Sequence, residues 1–178
     1  MPLYAYTLLI ALTALERLVE MAISMRNARW SFRQGGVEAG RKHFPFMVLL
    51  HTAFLVGCVA EPWLLDRPFI PELATPMLVI AVGCQALRWW VIGTLGRRWN
   101  TRVIVIPGLP RINTGPFHYL KHPNYLAVVL EGIALPMIHT AWLTALAFTA
   151  CNAVLLTVRL DVEERALQDM FRRHTQPD

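Results

Sequence analysis

The sequence predicts an all-α integral membrane protein with about five transmembrane helices. The last two form a helical hairpin, and a C-terminal cytoplasmic helix follows them. Three observations lead there. Hydrophobic residues make up 55% of the 178 residues and charged ones only 16%. Mean hydropathy is +0.41, too apolar for an ordinary soluble domain of this length. The apolar residues also gather in long blocks of the kind that cross a bilayer. A chain of this size makes a single membrane domain, residues 1–178.

Five apolar segments stand out, at about 2–25, 45–65, 73–95, 124–137 and 140–158. As helices, the first three are each long enough to cross a hydrocarbon core of roughly 30 Å. They form the substrate side, residues 1–95. The fourth is short, and Pro136 with the following Met-Ile-His-Thr turns it into a tight hairpin with the fifth. The loop at 96–123 holds Pro107, Gly108, Pro110, Gly115 and Pro116. It is the longest irregular stretch and the natural place for an active-site loop. From 159 to 173 the pattern is helical, with Leu160, Glu164 and Leu167 on nearby turns and Phe171 one turn further. This piece extends the fifth span out of the membrane and folds against the loop.

Charge orients the chain. The loop near 26–43 carries Arg26, Arg29, Arg33, Arg41 and Lys42, and that near 96–123 carries Arg97, Arg98, Arg102, Arg111 and Lys121. Between them, residues 61–72 hold Arg67 against Glu61, Asp66 and Glu72. The positive-inside rule puts both basic loops in the cytoplasm, with the N-terminus outside and the C-terminus inside. The net charge of +5 reflects those loops rather than nucleic-acid binding, because the basic residues are scattered and no nucleic-acid motif is present. Cys58, Cys84 and Cys151 lie in apolar segments at no metal or disulfide spacing and read as small buried hydrophobes.

Ionisable residues within spans are costly, which makes each a functional candidate. Glu16 and Glu20 share a face of the first span, where Arg17 can pair with Glu20. Arg88, beside Trp89 and Trp90, reads as an arginine snorkelling to the cytoplasmic interface. His43 and His51 stand two turns apart, with Glu38 ahead of them. The usual zinc spacing on a helix is one turn, so no metal is expected. They read either as hydrogen-bonded interior histidines or as groups that bind or deprotonate a substrate.

Two polar blocks carry the chemistry. The first runs from Gly115 to Tyr125, just before a segment bearing the lone acid Glu131, and the second is Arg159-Leu-Asp-Val-Glu-Glu164. Pro123 sets the first turn of a helix, whose free N–H groups and positive dipole end suit a carboxylate. Tyr119 and Tyr125 add aromatic faces and hydroxyls. Arg159 and Glu163, one turn apart, suit an anion on one side and a hydroxyl pair or ammonium on the other. Such a set fits a zwitterionic cofactor but names no reaction.

The two blocks resemble the isoprenylcysteine carboxyl methyltransferase family of integral-membrane enzymes. The family's pattern is Arg-His-Pro-x-Tyr before a helical hairpin, then an arginine and paired glutamates. Here it reads Lys121-His122-Pro123-Asn124-Tyr125, then Arg159 and Glu163-Glu164, over about residues 94–172. The resemblance implies S-adenosylmethionine as cofactor. Its pocket would take His122, Pro123, Asn124, Tyr125, Glu163 and Glu164, walled by Phe117, Tyr119 and Leu109-Pro110-Arg111-Ile112. Arg159 would orient the acceptor, with Glu131 and His51 as further catalytic candidates. Lys121 in place of arginine keeps the charge and loses the fork, and Phe117 stands where related sequences often have Tyr.

The N-terminal half, with Arg26-Asn27, Gly35-Gly36, Glu38, His43-Phe-Pro and Trp99-Asn100-Thr101-Arg102, is similar to a bacterial branch of the family. Members of that branch often accompany type III polyketide synthases and methylate hydroxyls on alkylpyrones or alkylresorcinols. The resemblance implies a bacterial inner-membrane enzyme whose lipophilic substrate comes from the bilayer. A prenylcysteine-type carboxylate is the close variant. Phospholipid N-methyltransferases also resemble the C-terminal half, and a non-catalytic scaffold or transporter component is the third alternative.

Overall fold

A computed structural model describes residues 1–110 and 112–175. Five α-helices dominate it: α1 (Leu3–Arg33), α2 (Phe44–Leu64), α3 (Pro71–Leu95), α4 (Pro123–Met137) and α5 (Trp142–Thr175). Short 3-10 turns cover Arg41–His43, Gly96–Arg98 and Gly115–His118. Two short strands, β1 (Val37–Ala39) and β2 (Val103–Val105), pair antiparallel with Glu38 opposite Ile104. The sequence reading did not anticipate this ribbon, which ties the first interhelical loop to the third.

The fold is all-α and membrane-like. Among the described residues three helical stretches are long and apolar enough to cross a bilayer: Phe44–Leu64, Pro71–Arg98 and Trp142–Ala166. Two of the five expected spans differ from that pattern. Every 18-residue stretch of α1 contains Glu16, Arg17 and Glu20, too much charge for a simple span. At 15 residues α4 is about 22 Å long, short of the hydrocarbon thickness. Both helices nevertheless join the two ends of the bundle. At one end Tyr6 donates to Leu135 O at 3.1 Å and its ring lies 5.2 Å from that of His139. At the other end, α1 and α4 reach the loops around the ribbon.

Beside an apolar core, the bundle buries a stripe of polar residues from α1. On α1, Leu8, Leu12, Leu15 and Leu18 are exposed, while Glu20, Ser24, Asn27 and Ser31 are buried. Polar groups at such depth need internal partners, and they have them. Arg17 reaches both Glu20 at 2.7 Å and Glu131 at 3.1 Å. Arg88 pairs with Glu131 as well, and its Nε lies 3.6 Å from Glu20. Gln85 donates to Glu16 at 2.6 Å, and Trp89 also donates to Glu16. The expected Arg17–Glu20 pair is therefore part of a larger network. Arg88 is 6% exposed and does not snorkel to an interface, because two carboxylates from α1 and α4 offer it partners inside the bundle.

The hairpin forms as the sequence suggests. Thr140, with a left-handed φ of 52°, turns the chain and donates to Pro68 O at 2.6 Å. Gly132 then lets α4 approach α5, since a Cβ there would strike the Phe148 ring. Glu61 from α2 accepts from the Leu143 and Thr144 amides at 3.2 and 2.7 Å and so caps the start of α5. Helix α5 then continues without a break, about 51 Å in all. The expected C-terminal helix is its continuation. Cys58 and Cys84 are buried as expected, whereas Cys151 is exposed on α5. Helix α1 also runs on past residue 25, because no breaker occurs before Gly35-Gly36. Arg26, Arg29 and Arg33 accordingly sit on a helix rather than in a loop.

Candidate active site

Both polar blocks meet at one end of the bundle. Pro123 occupies the first helical position of α4 and fixes that turn. Ahead of it, Gly115 adopts a left-handed φ of 58° and packs against α3, where a Cβ would lie 2.6 Å from Thr94 Oγ1. Glycine is required there by both conformation and space. The turn Gly115–His118 therefore docks on α3 and places Phe117 and His122 beside a cavity of about 840 Å³. That volume falls in the roughly 300–1,000 Å³ range of small-molecule and cofactor sites.

The cavity is walled by the α4 start (Lys121 to Tyr125), by Leu109, Pro110, Ile112 and Phe117, and by Arg159, Glu163 and Glu164 of α5. Arg111 lies outside the described residues, as do the side chains of Leu167 and Phe171. Three expected site residues do not line this cavity. Tyr119 is 76% exposed and packs edge-on against His118. Glu131 is buried in the α1–α3–α4 charge network, its two oxygens held by Arg17 and Arg88. His51 stacks edge-on against Phe148, and its Nδ1 lies 2.8 Å from Met47 O.

The opposite wall comes largely from the loop expected to hold the active site, through residues that the sequence did not single out as site residues. It consists of Val91 and Leu95 on α3, then Arg98 to Asn100 and Arg102 to Ile106. The Trp-Asn-Thr-Arg run at 99–102 was visible in the sequence but carried no assigned role. Its position comes from α1. Asn27 Nδ2 donates to Gly96 O at 3.0 Å and to Trp99 O at 2.8 Å. Ser24 Oγ accepts from the Thr101 amide at 2.9 Å. These α1 residues are buried; in the sequence Asn27 figured only in the resemblance to the bacterial branch, and Ser24 was not singled out.

A chain of hydrogen bonds organises the centre. Tyr125 OH donates to Glu163 Oε2 at 2.5 Å and accepts from Arg159 Nε at 3.1 Å. Arg159 Nη2 donates to Thr101 O at 2.8 Å, and Nη1 contacts Met47 Sδ at 2.7 Å. The guanidinium also lies 5.5 Å from the Tyr125 ring centroid, and the His122 ring stacks on Tyr125 at 5.3 Å. Among the described residues no carboxylate is at ion-pair distance from Arg159, whereas its neighbours Arg102 and Lys121 pair with Glu38 and Glu164. Arg159 is thus a partly buried cation held only by neutral groups, and it can accept an anion. Close by, burial holds the His43 imidazole below its usual range, and the charge of Arg159 adds to that effect. The buried Oδ1 atoms of Asn100 and Asn124, both on the cavity wall, have no hydrogen-bond partner among the described residues.

The sequence model of the isoprenylcysteine carboxyl methyltransferase (ICMT) family matches residues 76–169, more than half of the chain. Uncharacterized protein YpbQ of Bacillus subtilis (strain 168) is 36% identical over 165 residues, covering 92% of this chain and 97% of that protein. An uncharacterized protein of Haemophilus influenzae is 25% identical over 158 residues, covering 87% of this chain and 90% of its own length.

Proposed function

Because the chain belongs to the isoprenylcysteine carboxyl methyltransferase family, a family of membrane methyltransferases, we propose that it is an S-adenosylmethionine-dependent O-methyltransferase. Its acceptor is a lipophilic hydroxyl of the alkylpyrone or phenolic-lipid kind, with a prenylcysteine-type carboxylate as the close variant. The single observation that carries this reading is Arg159, a cavity-lining cation whose partners among the described residues are neutral.

The cavity's residues fit the cofactor. Glu163 keeps one oxygen for an ammonium or a ribose diol. In the first turn of α4 Pro123 has no N–H and the Tyr125 and Leu126 amides bond His122 O, which leaves the Asn124 N–H and the positive dipole end for a carboxylate. Asn124 and Asn100 hold buried acceptor atoms that need donors. Leu109, Ile112 and Phe117 supply an apolar wall. When bound, the cofactor supplies an electrophilic methyl group.

The chain's own part is positioning. Arg159 holds the acceptor as an anion at the cavity, the apolar wall excludes water, and near-attack placement supplies much of the rate. An acidic enol is ionised at neutral pH and needs little help from a base. Neither His51 nor Glu131 enters this account: Arg17 and Arg88 hold the Glu131 oxygens, and His51, with Nδ1 on Met47 O, does not line the cavity. The N-methyl alternative is disfavoured by the same arginine, which repels an ammonium-bearing acceptor.

Calorimetric titration of the purified protein with S-adenosylhomocysteine tests the cofactor half. Binding is expected, and Glu163→Gln should weaken it about tenfold, the loss of a charge-assisted hydrogen bond. No binding at millimolar ligand overturns the methyltransferase reading of this cavity. Unchanged affinity in the variant removes Glu163 from it.

A further inference from the structure

We propose that the acceptor's ionised oxygen binds Arg159 at the place taken by the Met47 thioether, between the first turn of α2 and the middle of α5. This seat rests on the reading that Arg159 holds the acceptor, and it names where and against what competitor.

Two of the three guanidinium nitrogens have anchored partners. Nε meets Tyr125 OH, itself bound to Glu163. Nη2 meets Thr101 O, whose residue is fixed by Ser24. Only Nη1 faces a sulfur atom, Met47 Sδ. A thioether is among the weakest side-chain acceptors, and it carries no charge. Methionine also has three rotatable bonds and repacks readily. An oxyanion forms a charge-assisted bond with a guanidinium, about twice as strong as a neutral one. The weakest of the three contacts is therefore the one an anionic oxygen displaces.

The surroundings define the rest of the seat. Gly40, at φ 64°, lies so near His43 and Val162 that a Cβ there would overlap both. His43 is one turn before Met47, and Val162 follows Arg159 by three residues. The chain at 40–43 thus closes one side, and Tyr125 closes the other. Toward the outside of the bundle, Phe46, Leu49 and Val158 are exposed apolar residues on the same two helices. The ligand class that follows is an oxygen acid on a long alkyl chain, with the acid on Arg159 and the chain along α2 and α5.

The test is equilibrium binding of a long-chain 4-hydroxy-2-pyrone to the full chain in lipid nanodiscs, with S-adenosylhomocysteine saturating. Met47→Leu keeps the volume and removes the competing sulfur. Met47→Gln puts a better acceptor, an amide oxygen, on Nη1. Leu should tighten the pyrone about two- to fivefold and Gln should weaken it about tenfold, as expected for removing or strengthening one competing hydrogen bond. S-adenosylhomocysteine affinity should stay constant in both, which also reports folding. Equal pyrone affinities in the Leu, Met and Gln proteins, or a loss in both variants, overturn the seat. A parallel Arg159→Ala protein separates the two ideas. If it binds the pyrone as wild type does, the acceptor role of Arg159 falls; if it binds weakly while the Met47 series is flat, only the seat falls.

Discussion

Tyr125 OH links two charged side chains of α5, donating to Glu163 while it accepts from Arg159. A neutral phenol can do both at once, and this separates a carboxylate from a guanidinium that would otherwise pair at one-turn spacing. Each is left with capacity for a ligand of opposite charge. His43, outside the spans, gives a pH test at the same scale. Its pKa in the folded chain lies below the ordinary 6.5, chiefly through burial. Between those values the unfolded chain binds more protons, so stability rises with pH. This contribution is complete above the ordinary value and is lost as pH falls toward the folded one. Thermal unfolding of wild type and His43→Asn between pH 5 and 8 should show the wild type losing ground to the variant on the acidic side. Parallel curves would refute the assignment. The residues of the two polar blocks were legible in the sequence because polar clusters are conspicuous in an apolar chain. Glu131 and His51 were conspicuous for the same reason, and the fold places neither on the wall of this cavity. An ionisable residue in a span is conspicuous whether it meets a ligand or another buried charge, and only the fold distinguishes these.

Among the elements, α1 is the one whose role the sequence hid. Its outward leucines made it look like a plain span, yet its inward stripe of Ser24, Asn27 and Ser31 anchors the loop that forms half of the cavity. Asn27→Ala leaves two carbonyls without their donor and should cost about 1–3 kcal/mol. Hydrogen exchange should also quicken at residues 96–102. A variant with unaltered melting temperature and exchange would show that the loop holds itself. The hairpin was legible because Pro136 and the short fourth segment restrict how α4 and α5 can connect. The β1–β2 ribbon was not. Each strand is only three residues long, and it exists because the folded helices bring two loops together.

For the whole molecule, the charge network of Arg17, Glu20, Arg88 and Glu131 binds α1 to α3 and α4 at a depth where charges are costly. Hydropathy located the apolar blocks but could not reveal this pairing, since it scores each charge alone. Glu131→Leu leaves two guanidiniums short of a partner and should destabilise the protein by about 3–5 kcal/mol. Chemical unfolding in detergent checks this; a change under about 1 kcal/mol would mean that water or lipid headgroups satisfy the arginines. The network separates the duties of the molecule, with buried ion pairs joining the helices and Arg159, at the cavity, without a carboxylate partner among the described residues. In the proposed reaction Arg159 directs methyl transfer to an oxygen. The most direct measurement uses S-adenosylmethionine carrying a 13C-methyl group, incubated with the protein in lipid nanodiscs and a long-chain 4-hydroxy-2-pyrone. Carbon NMR distinguishes methyl on an enol oxygen from methyl on nitrogen. An enol-ether signal, lost in Arg159→Ala, is the predicted result, and label appearing only as N-methyl on phospholipid amines would contradict it.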